Sequence, residues 1–142
     1  MVVAVEATRP RAIHPVHAVL LAGTFTLFLG AVINDWAYSS TYQVQWTNFA
    51  SWLIAAGLLL GAMALLFALV GLRHASRRSG PPLIYLVILL ATWIVGLFNA
   101  VVHAKDAYAV MPEGLVLSVV AALLAGVATW LGFSSLRTGD LR

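Results

Sequence analysis

The side chains in this sequence that can do chemistry are few, and they fall into two groups. The first is His14 and His17 near the start, joined by His74 after a long apolar run. Imidazoles three positions apart share a helix face. Bis-histidine haem ligation needs imidazoles at matched depth on different helices, a requirement that His17 with His74 meets on paper. His14, His17 and His74 are therefore the candidate cofactor-binding residues, for a b-type haem or a quinone-linked electron carrier, with a helix-start feature as the plainer reading. A zinc site typically takes three or four protein ligands, so no metal centre is expected here. The second group is Asn34 and Asp35 with Asn99, His103 and Asp106. A carboxylate beside an imidazole below a membrane surface is either a proton-binding, metal-binding or headgroup site, or an interhelical hydrogen-bond clamp. A small transporter or proton pathway through Asp35 and His103 is the functional extreme of that reading.

Catalytic motifs are missing. Cysteine is absent, which removes thiolate ligands, disulfides and a Cys nucleophile. No Walker loop, GxSxG, HExxH or Gly-rich dinucleotide fingerprint occurs. Ser118 has no histidine nearby in sequence and reads as a mid-membrane hydroxyl bonded to its own helix. The sequence leans away from an enzyme.

The elements that position these groups are membrane helices. Of 142 residues, 62% are hydrophobic and 9% charged, against about 25% charged in soluble domains. Mean hydropathy is +0.96, and a soluble globule of this composition would expose more apolar surface than monomers tolerate. The net charge of +3 comes from only eight basic residues, so it is no nucleic-acid footprint. Four apolar stretches, Val16–Trp36, Ala50–Leu72, Leu83–Val102 and Leu115–Phe133, contain no Lys or Arg. Each is long enough to cross a hydrocarbon core of about 30 Å as a helix. They are continuous rather than alternating, and four strands could not close a barrel. Pro15, Pro81-Pro82 and Pro112 mark helix starts, Gly114 loosens the turn before the fourth, and Ala37–Asn48 is a polar, uncharged loop. The expected architecture is all-α, an integral-membrane four-helix bundle in a single domain spanning residues 1–142.

Basic residues set the expected orientation. Arg9, Arg11, Arg73, Arg77, Arg78, Arg137 and Arg142 fall on one side and Lys105 alone on the other, placing both termini in the cytoplasm. Trp36, Tyr38, Tyr42, Trp46 and Trp52 read as an interfacial belt at the outer ends of helices 1 and 2. Helix 1 is longer than the apolar core of a signal peptide and lacks a cleavage site, so it reads as a retained anchor. One stripe per helix carries the small and polar residues: His17, Leu21, Thr24, Phe28, Ala31 and Asp35; Gly57 and Gly61; Thr92, Gly96, Asn99, His103 and Asp106; Ser118, Ala122, Ala125, Thr129 and Gly132. These stripes are expected to face inward. Thr24 and Ser118 would be the chief polar groups near the bilayer centre.

Several local motifs are similar to those of the bacterial membrane proteins grouped as domain-of-unknown-function family 2231. Ile13-His14-Pro15-Val16-His17 resembles that family's HPxHP opening, with Ala18 where the second Pro would stand. Asp35 closing helix 1, Trp52 followed by Ala55-Ala56-Gly57, Asn99, and Asp106-Ala107-Tyr108 leading to Pro112-Glu113-Gly114-Leu115-Val116-Leu117-Ser118 also resemble it. The family's tail after helix 4 is reduced here to Gly132–Arg137. The resemblance covers the chain from about residue 12 onward. It implies a four-helix protein of the bacterial inner membrane with no agreed activity. Related domains beside Rieske or cytochrome c domains imply a respiratory or redox setting.

Three functions follow, in this order. The first is an accessory or structural subunit of a larger membrane complex, or a homo-oligomer, in contact with the lipid bilayer. The haem or quinone-linked carrier comes second and the transporter third. Transport ranks last because no helix is broken to expose backbone to a substrate.

Overall fold

The computed structural model describes residues 14–74, 83–105 and 109–134. Four helices fill nearly all of them: α1 (Pro15–Thr41), α2 (Val44–His74), α3 (Leu83–His103) and α4 (Glu113–Ser134). No strand occurs among the described residues. All four helices are long and apolar enough to cross a membrane. At about 1.5 Å per residue, α3 runs roughly 32 Å and α2 roughly 46 Å, so α2 extends well past the hydrocarbon layer.

Each helix packs against its two neighbours in the ring α1–α2–α3–α4. The chain goes up and down, so α1 and α3 face one another across the bundle diagonal. One end carries the α1–α2 turn, the end of α3 and the start of α4, and is called distal. The other carries the start of α1 and the end of α4, and is called terminal.

The expected inward stripes are the buried ones. Leu21, Thr24, Phe28, Ala31 and Asp35 of α1 are buried, as are Thr92, Gly96, Asn99 and His103 of α3 and Ser118, Ala122, Ala125 and Gly132 of α4. His17 and Thr129 are half-buried. Glycines let the backbones approach. Phe28 lies against both Gly57 of α2 and Gly96 of α3, where an added Cβ would sit 2.7 Å from its ring. Thr24 and Trp93 close over Gly61, and the Trp93 indole N–H donates to the Leu58 carbonyl at 3.2 Å. Small residues under large ones supply close van der Waals packing, the main attraction between helices in lipid.

Two expectations are corrected here. The polar stretch Ala37–Asn48 is not a loop: α1 continues to Thr41 and α2 starts at Val44, leaving a turn of Tyr42 and Gln43. Ser39, Ser40 and Thr41 donate their hydroxyls to carbonyls of their own helix, so polar side chains there do not end it. Tyr42 takes the left-handed conformation (φ 53°) and its N–H bonds Tyr38 O at 2.7 Å, stopping α1. The second correction concerns Tyr38. Trp36, Tyr42 and Trp52 stand exposed, but Tyr38 is only 1% exposed. It lies three residues beyond Asp35, on the same inward stripe.

Candidate functional site

The buried polar residues gather at the distal end. Asp35 sits about 9 Å below the end of α1, with no exposed surface at all. A carboxylate in that position requires partners, because neither lipid nor packed side chains would solvate it. It has two. His103 Nε2 lies 2.9 Å from Asp35 Oδ1, and Ser118 Oγ donates to Asp35 Oδ2 at 2.5 Å. Asn99 Nδ2 donates in turn to Ser118 Oγ at 2.8 Å. One network thus ties α1, α3 and α4, and the Asp35–His103 contact crosses the bundle diagonal.

The proton positions follow from the partners. His103 Nδ1 lies 3.0 Å from the Asn99 carbonyl, which can only accept, so Nδ1 carries a hydrogen. A single further proton then sits between Nε2 and Oδ1. Whether it resides on the ring or on the carboxyl, the pair is electroneutral as a unit. Ser118 has one hydroxyl hydrogen and directs it to Asp35, so the Asn99 amide must present its NH2 to Ser118. The side-chain amide oxygen of Asn99, Oδ1, is left buried without a hydrogen-bond partner among the described residues.

The first turn of α4 closes the site. Gly114 is buried, and a Cβ there would lie 2.9 Å from His103 Cε1 and 2.5 Å from Val110 Cγ1. The glycine does more than loosen a turn: it admits the imidazole. The His103 side chain is 1% exposed as a result.

Of the expected outer cluster, the structure brings together Asp35, Asn99 and His103. Asn34 is not in it; the backbone turns about 100° per residue, and the Asn34 amide donates to Gly30 O of its own helix at 2.8 Å. Asp106 lies outside the described residues. Ser118 is the member that sequence reasoning missed. It is not bonded to its own helix but to Asp35 of α1 and Asn99 of α3, because α4 begins at the distal end and Ser118 lies little more than one turn inside it. The signal was present: Ser118 heads the inward stripe of α4.

The terminal-end histidines are arranged differently. His17 Nε2 is 2.8 Å from the Tyr85 hydroxyl, and its ring meets Tyr85 edge-on at 6.2 Å. Phe67 lies 6.2 Å from the His17 ring and 6.1 Å from that of His14. His17 Nδ1 is buried without a partner among the described residues. His14 precedes α1 and is exposed. His74 ends α2, and its side chain lies outside the described residues. The residues present do not fit a haem at His17, whose Nε2 is held by Tyr85 and whose Nδ1 faces packed atoms. No group of three or more His, Asp or Glu side chains able to hold a metal occurs among the described residues.

A family described as "Predicted membrane protein (DUF2231)" matches residues 13–136, and the chain belongs to that family. None of the curated proteins and none of the solved structures compared with the chain matches it.

Proposed function

We propose that this member of the DUF2231 family is a non-catalytic accessory subunit of a larger membrane complex, in a respiratory or redox setting of the bacterial inner membrane. Both termini and Arg73–Gly80 face the cytoplasm, following the seven-to-one division of basic residues. The observation that carries this reading is the closed distal network. Asp35, His103, Ser118 and the Asn99 amide bond one another inside the bundle, leaving none of those groups directed at an opening for substrate. Such a network is a clamp that fixes three helices in register.

The same geometry weighs against a proton pathway. Between Asn99 and the His17–Tyr85 pair, the fully buried polar side chains among the described residues are Thr24 and Thr92. Both hydroxyls donate to carbonyls of their own helices, at 2.8 Å. Trp93 is committed to Leu58 O. A chain of exchangeable protons does not continue from one end to the other.

The test is extraction of the tagged full chain from its native membranes in mild detergent. The accessory reading expects stoichiometric recovery with larger membrane proteins and no visible absorption from the chain itself. Recovery of the chain alone overturns it. A Soret band that disappears on His17→Ala assigns the carrier role instead.

A further inference from the structure

The hydrogen bonds that cross the bundle diagonal from α1 to α3 join residues 68 positions apart: His17 with Tyr85 and Asp35 with His103. Between them Phe28 meets Gly96, at the same separation, where an added Cβ would lie 2.7 Å from the Phe28 ring. The first residues of the two helices, Pro15 and Leu83, stand in the same relation. Moved by this step, Leu21, Thr24, Phe28, Ala31 and Asp35 become Leu89, Thr92, Gly96, Asn99 and His103, and all are buried. Thr24 and Thr92 also repeat one hydrogen bond. Each donates its hydroxyl at 2.8 Å to the carbonyl four residues earlier, of Leu20 and of Ile88.

Steps of three and four belong to any inward helix face, so spacing alone says little. Depth decides. Equivalent residues meet at both ends and in the middle only if α1 and α3 run in one direction at one height. A two-fold axis along the bundle imposes that arrangement. The other two helices obey it. Ala50, Ile54, Gly57, Gly61, Ala64 and Ala68 of α2 each have a buried counterpart in α4 at one constant separation, from Gly114 for Ala50 to Gly132 for Ala68. Contacts between neighbours repeat as well. Leu21 packs on Gly132, and their equivalents Leu89 and Ala68 lie in one hydrophobic cluster. Phe25 lies over Gly126 of α4 and its equivalent Trp93 over Gly61 of α2, one position from strict correspondence.

We infer that the bundle is a fused pair: α1–α2 and α3–α4 are two versions of one helical hairpin, related by a pseudo-two-fold axis. The buried face of each hairpin is then an interaction surface whose fitting partner is a second copy of the same hairpin. The distal network occupies one of two equivalent placements about that axis. Asp35 comes from the first hairpin, and His103, Asn99 and Ser118 come from the second. The counterparts of Asn99 and Ser118 are Ala31 and Ile54, both buried and apolar. The inference does not rest on the accessory-subunit reading.

The test exchanges the network between the hairpins of the full chain and reads the midpoint of unfolding in mild detergent. The first set is Ala31→Asn, Asp35→His, Ala50→Gly and Ile54→Ser, the glycine copying the opening that Gly114 gives to His103. The second set is Asn99→Ala, His103→Asp and Ser118→Ile. Either set alone buries like against like, two imidazoles or two carboxylates, and should lower the midpoint sharply. The two sets combined should recover most of that loss. A combined variant no more stable than the partial ones overturns the proposal. A second measurement leaves the interior untouched. The chain has no cysteine, so spin labels attach only where cysteines are introduced. Val19 and Leu59 of the first hairpin have Val87 and Leu123 as equivalents in the second, and all are exposed. The label distance for Val19→Cys with Leu59→Cys should match that for Val87→Cys with Leu123→Cys within one helical turn, about 5 Å. A larger difference overturns the two-fold relation whatever the unfolding data show.

Discussion

The two ends of this bundle each hold a histidine contact between α1 and α3, and they differ in how completely the imidazole is buried and satisfied. At the distal end, the His103 ring bonds through both nitrogens, and its carboxylate partner is bonded through both oxygens. At the terminal end, the half-buried His17 bonds through one nitrogen to one hydroxyl, and His14 beside it is exposed. The distal contact joins diagonal helices through a third, whereas the His17–Tyr85 contact joins α1 and α3 alone. Histidine in a membrane helix is therefore not informative by type. What matters is whether its neighbours leave a nitrogen and a space for something else.

The largest expected effect comes from breaking the distal network at its centre. Asp35→Ala leaves an imidazole and a serine hydroxyl buried without their acceptor, and should cost about 3–5 kcal/mol of stability, read from unfolding in mild detergent. Gly114→Ala attacks the same end through packing. Its Cβ meets both the His103 ring and Val110, so a loss of about 1–3 kcal/mol is expected from overpacking by the same assay. Ser118→Ala removes one hydrogen bond to the carboxylate and one acceptor for Asn99, and should cost about 1.5–3 kcal/mol if the bond is charge-assisted. Tyr85→Phe is the terminal-end counterpart. It deletes a single bond at the edge of a packed cluster and should cost about 0.5–1.5 kcal/mol. An equal or larger loss than for Ser118→Ala would erase the contrast between the ends.

Much of this was legible from the residue spacing. Asp35 tops a stripe through Thr24, Phe28 and Ala31, and His103 tops one through Thr92, Gly96 and Asn99. Steps of three and four on helices of fixed rise specify both face and depth. Ser118 escaped because its depth has to be counted from Glu113, at the distal end, and because its partner depends on which helix lies between α1 and α3. Ring order among helices is a tertiary property that stripes alone do not encode. Asn34 shows the opposite error: adjacency to Asp35 in sequence suggested company that helix geometry denies. The turn at Tyr42–Gln43 was hidden by Ser39, Ser40 and Thr41. Their polarity reads as loop, although at a membrane interface their hydroxyls bond back onto the helix. How Phe25 of α1 seats over Gly126 of α4 could not be read at all, since it depends on which helices are neighbours in the ring.

A double-mutant cycle on Asp35 and His103 tests the central claim, that these groups form a mutual clamp, more directly than any single substitution. Asp35→Ala, His103→Ala and the double variant are unfolded in the same detergent, with the unmodified chain as reference. If each group is the other's buried partner, the double variant loses less stability than the sum of the single losses, with a coupling of about 1–3 kcal/mol. If the losses add to within about 0.5 kcal/mol, the two side chains do not act on one another, and the clamp is not what holds α1 to α3.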